Sequence, residues 1–185
     1  MAVLQMLVAA FNPSSTSGTK IYGVLFPRDG VAPSPIFEMD DTCRDIVRDS
    51  LASLVIEYGK CAISAKYKSA KYPSSCGTGT IAVPGLEVIA EVAKRSRLKE
   101  EAVLMLTDGT ISDPNNGRVR VMNELKSAGI GTIIAARIGS GVDQNLIDYA
   151  DKPDNAVADS NAIQLGLQIV ERLNVEGILC NDHGK

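Results

Sequence analysis

The chain has 185 residues, 45% hydrophobic and 22% charged, ordinary globular usage and enough for one domain (1–185) with a full core. A net charge of −3 without a basic stripe argues against a nucleic-acid partner; Lys66, Lys68 and Lys71 around Tyr67 and Tyr72 read as a solvated loop. No run of about 18 apolar residues occurs, so no helix is expected to span a membrane.

The opening "MAVLQMLVAAFNPSS" has the apolar stretch of a secretory signal but no basic leader. It reads instead as a helical end, with Leu4, Leu7, Val8 and Phe11 at helix spacing, stopped by "NPSSTSG". "KIYGVLFP" (20–27) is expected as a strand, and "PSPIFEMD" (33–40) as its hairpin partner, with prolines that suit a sheet edge. Asp41 or Thr42 caps the next helix, 44–58, whose apolar face is Ile46, Val47, Leu51, Leu54 and Val55. Residues 60–80 form a polar stretch.

A helix is predicted over 83–98, opened near Pro84, because proline is tolerated in a first turn. "AVLMLT" (102–107) is a short strand whose unbroken apolar run predicts burial on both faces. An amphipathic helix follows over 117–129, ended by Gly129. Then come a buried strand (130–139), a short helix capped by Asp143 (143–151) and a short strand (155–159). The last helix spans 160–174 with Ser160 as its cap, and 175–185 is a tail. Strands alternating with helices predict a parallel sheet covered by helices on both faces, which binds ligands beyond the carboxyl ends of its strands.

Asp108 sits at such an end, in "VLMLTDGTISDP" (103–114). A hard divalent cation needs oxygen ligands, and a carboxylate at a strand tip joined by loop hydroxyls supplies them. Gly109 lets the backbone turn sharply there. The plainer alternative is that Asp108 only hydrogen-bonds its own loop. Asp113 is read as a loop carboxylate. "CGTGT" (76–80), just before a helix, offers the hydroxyls of Thr78 or Thr80, but neither it nor "TSGTK" (16–20) is a phosphate-binding loop. "GSG" (139–141) is too short for a dinucleotide pattern.

Cys43, Cys61, Cys76 and Cys180 form no C-x-x-C, and His183 stands alone in the tail, so zinc is not expected. The cysteines suit two disulfides, Cys61 with Cys76 for instance, or four buried thiols. No G-x-S-x-G nucleophile occurs, and an enzyme is not expected. The acidic pairs Asp40–Asp41 and Glu100–Glu101 read as solvated turns.

The order "AVLMLTDG", a helix ending "LKSAGI", a strand closing in "IGSGVD", "LIDYAD", "DNAVAD" and a last helix resembles a von Willebrand factor A domain. Upstream, "GTKIYGVLF" looks like that family's second strand, and "CGTGTIAVPGLEVIAEV" like its threonine loop and following helix. The resemblance implies a three-layer, doubly wound α/β fold, Rossmann-like, with a mostly parallel sheet. It implies a protein-binding module whose Mg²⁺ or Mn²⁺ site, of the metal-ion-dependent adhesion type, is completed by an acidic residue of the ligand. Asp108 matches the family's aspartate, and Thr80 its threonine, with Thr78 as second choice.

The family's D-x-S-x-S at the end of the first strand is absent from this chain. "NPSST" (12–16) mimics its outline but lies immediately before the second strand. Against the family the chain begins inside the first helix, lacking on the order of twenty residues. A truncated chain, a natural domain without the site, and a permutation in which "VEGILC" (175–180) returns as the first strand all explain this.

The expected function is an extracellular, secreted or matrix-associated adhesion module with a partial metal site and a matrix or collagen-like protein ligand. Cation binding is expected to be weak or absent. The alternative is a cytoplasmic scaffold of the same fold that binds without metal.

Overall fold

The computed structural model describes residues 21–24, 37–39, 80–95 and 101–178. The expected helices at 3–11 and 44–58, "NPSST", the lysine-rich loop, Thr78, the four cysteines and His183 lie outside these residues.

β1 (Ile21–Gly23) and β2 (Phe37–Met39) pair antiparallel, with Tyr22 opposite Glu38, in the hairpin relation their sequences predict. The other α-helices and strands among the described residues are α1 (Val83–Arg95), β3 (Glu101–Thr107), α2 (Asn115–Ser127), β4 (Ile130–Ile138), α3 (Gln144–Ile147), β5 (Ala156–Asp159) and α4 (Ala162–Val175), with a 3-10 turn at Pro153–Asn155 before β5. β3, β4 and β5 form a parallel sheet in that order, with Thr107 beside Arg137 and Ile138 beside Asp159.

Alternation of side chains across a strand explains why the apolar runs are unbroken. Val103, Met105, Ile133 and Ala135 point to one face, where they meet Leu86 and Ala90 of α1 and Val121 and Leu125 of α2. Ile134, Ala136 and Val157 point to the other, against Leu165, Ile169 and Leu173 of α4. The domain is therefore α/β, a three-stranded parallel sheet flanked by helices. Burying each large aliphatic side chain, such as Leu125 or Ile169, contributes roughly 1.5–3 kcal/mol. Leu104 and Leu106 are only half-buried, so β3 is less completely covered on its second face than its sequence predicts.

Helix ends follow local chemistry only in part. Gly129 takes φ +96° and donates its N–H to the Lys126 carbonyl, closing α2 as its position predicts. Asp143 caps α3 by accepting from the Leu146 N–H at 2.9 Å. α3 stops well before the predicted end at 151. Asp151 is drawn onto β4, exchanging its N–H with the Ile133 carbonyl and accepting the Ile133 N–H on its carboxylate at 2.9 Å. That pairing satisfies β4 where β5 has not yet begun.

The cap of α4 is Asn161, not Ser160. Its side-chain oxygen accepts from Ile163 and Gln164, and its own N–H is held by Asp159. At the other end Gly177, at φ +72°, and Ile178 donate to Asn174 and Leu173. Residues 175–178 thus close a helix and do not begin a returning strand. Among the described residues no helix is long and apolar enough to cross a membrane.

Candidate functional site

Three parallel strands put their carboxyl ends at one edge, so Asp108, the Gly139–Asp143 turn and the start of α4 gather there. Asp108 is exposed at the tip of β3. The residue before it, Thr107, is buried and turned inward, its hydroxyl accepting the Gly109 N–H at 3.2 Å. A threonine used this way fixes the turn and leaves Asp108 as the group facing solvent.

Thr80 comes to the same edge from the segment before α1. It makes a parallel bridge to Ile111, and its carbonyl accepts the Ser112 N–H at 2.8 Å. Its hydroxyl oxygen lies 4.0 Å from where a Cβ on Gly109 would stand. The two residues that the family resemblance paired, Thr80 and Asp108, 28 positions apart, therefore flank one turn.

Asp113 is far more than a loop carboxylate. It accepts the N–H of Ala82 at 2.7 Å and of Val83 at 3.2 Å, capping α1 from thirty residues downstream. The Tyr149 hydroxyl donates to the same carboxylate at 2.5 Å. The Arg118 guanidinium lies 5.8 Å from the Tyr149 ring centre and pairs with Asp148 at 2.6 Å. Burial, then the bond to Asp113, pushes the Tyr149 phenol well above its ordinary range. Asn145 completes the loop's anchorage by donating to the Ile111 carbonyl at 3.0 Å. The signal in the sequence was indirect: α1 opens at "TIAVPG" with Ala82 at the cap position, so its first N–H groups need a partner from elsewhere.

The neighbouring turn is locked as well. Buried Arg137, at the end of β4, pairs with Asp143 at 2.8 Å and donates to the Gly141 carbonyl. A buried guanidinium needs such pairing. The Arg137 hydrogen bond, followed by the Leu146 N–H, holds the Asp143 carboxyl below the usual carboxylate range.

With Thr107 and Asp113 engaged, the Asp108 carboxylate and the Thr80 hydroxyl are among the oxygen ligands still available at the β3 tip, as are the exposed Thr110 and Ser112. A carboxylate and a threonine hydroxyl are hard oxygen donors of the kind Mg²⁺ or Mn²⁺ takes, with waters completing its shell. Among the described residues no three His, Cys, Asp or Glu side chains converge. No protein-family description matches the chain, and no curated protein matches it either.

Proposed function

We propose that the chain is a protein-binding module of the von Willebrand factor A type, with a doubly wound sheet and a partial, weak cation site formed by Thr80 and Asp108. The observation that carries this reading is the placement of Thr80 beside the Asp108–Gly109 turn at the carboxyl edge of a parallel sheet. That is where open α/β sheets bind ligands. The cation would be held by the Asp108 carboxylate and the Thr80 hydroxyl, with water filling much of its shell. It would supply positive charge for an acidic side chain of a protein ligand. The absence of D-x-S-x-S from the sequence argues that affinity for the ion is low.

The proposed setting is extracellular or matrix-associated, with a collagen-like or other matrix protein as partner. Solid-phase binding to immobilised matrix proteins tests this reading. Binding should appear with Mn²⁺, fall with a chelator and be lost in Asp108→Ala. Binding that ignores both the chelator and the substitution would instead support metal-independent scaffolding.

A further inference from the structure

Among the described residues Thr80 makes a single bridge, to Ile111, and no longer ladder there holds it at the Asp108 turn. What holds it is a closed circuit of side-chain and backbone bonds. Two and three residues past Thr80, the N–H groups of Ala82 and Val83 are bound by Asp113. Asp113 is tied in turn to the hydroxyl of Tyr149, which is 1% exposed. The loop carrying Asp113 returns to Thr80 through the Ser112 N–H.

We infer that Asp113 and Tyr149 form a clasp that positions Thr80 against the Asp108–Gly109 turn. The inference that this clasp tunes cation affinity rests on the reading of Thr80 and Asp108 as the ion's ligands. The geometry favours positioning over simple helix capping. A cap needs only the carboxylate and the two N–H groups, whereas here a third, buried donor arrives from the segment after α3. Arg118, held by Asp148, lies against the ring of that donor and fixes its orientation. The clasp therefore joins the start of α1, the β3–α2 loop and the segment after α3 at one carboxylate, next to the proposed ligand. Removing only the Tyr149 hydroxyl leaves Asp113 bound to α1 and loosens the circuit without emptying the core.

Site-resolved amide exchange and Mn²⁺ titration on the full chain test the clasp, using wild type, Tyr149→Phe, Asp113→Asn and Asp108→Ala. The Ser112 amide should exchange about five- to tenfold faster in Tyr149→Phe, the loss expected of one hydrogen bond. Amides of Ile134 and Ala136 in β4 should keep their protection. Mn²⁺ affinity should fall several-fold in Tyr149→Phe and Asp113→Asn and vanish in Asp108→Ala. Unchanged Ser112 exchange in both clasp variants overturns the inference, and does so while leaving the functional reading intact if wild type binds Mn²⁺ through Asp108. Faster Ser112 exchange in a protein that binds no Mn²⁺ supports the clasp and overturns the functional reading alone.

Discussion

At the start of α1 the N–H groups of Ala82 and Val83 have no local side-chain acceptor and depend on Asp113. Asp113→Ala would leave these groups and the Tyr149 hydroxyl unpaired, and should cost about 2–3 kcal/mol in urea denaturation. Tyr149→Phe should cost about 1 kcal/mol. The raised phenol pKa of Tyr149 carries a sign. The neutral form is favoured in the folded state, so its contribution is complete below the unfolded value of about 10 and is lost as pH rises beyond it. Alkaline unfolding of wild type should therefore be steeper than that of Tyr149→Phe, and the tyrosinate absorbance of Tyr149 should appear only with unfolding. Asp143 behaves in the opposite direction. Its depressed pKa, caused first by Arg137, makes its contribution present above the ordinary carboxylate range and lost as pH falls below it. Asp143→Asn should flatten the acid limb of the stability profile.

Among the elements, the alternation of apolar runs and amphipathic stretches from β3 to α4 was legible because each segment carries its own period. Their ends were less legible where a distant group decides them. α3 is cut short by the pairing of Asp151 with Ile133, eighteen residues away, and no local pattern announces that. The cap of α4 moved from Ser160 to Asn161 because Asp159 holds the Asn161 N–H and so fixes which residue turns into the helix. Asn161→Ala should lower stability by about 1 kcal/mol, whereas Ser160→Ala should change it little; thermal melts of the two variants check this. Gly129 was legible, and its φ of +96° makes Gly129→Ala unfavourable by roughly 1–2 kcal/mol.

At the scale of the whole molecule, β3, β4 and β5 lie side by side in chain order, which brings their carboxyl ends to one edge and makes a shared site there geometrically available. Half of that site could be read from residues alone: an apolar strand ending in Asp108 and Gly109 marks a strand tip. Thr80 could not be reached by periodicity, since it sits in a non-repetitive segment; spacing within the family resemblance singled it out. Asp113 was missed because its partners are distant in sequence: the backbone N–H groups of the apolar Ala82 and Val83, and the hydroxyl of Tyr149 thirty-six residues on. The central claim is that Asp108 and Thr80 hold a divalent cation in an incomplete shell. Isothermal titration with Mn²⁺ measures it most directly. Weak binding, lost in Asp108→Ala and reduced in Thr80→Ala, is the predicted result; low-micromolar binding abolished by Asp108→Ala would contradict the incomplete shell, and no binding, or binding indifferent to both substitutions, would contradict the site itself.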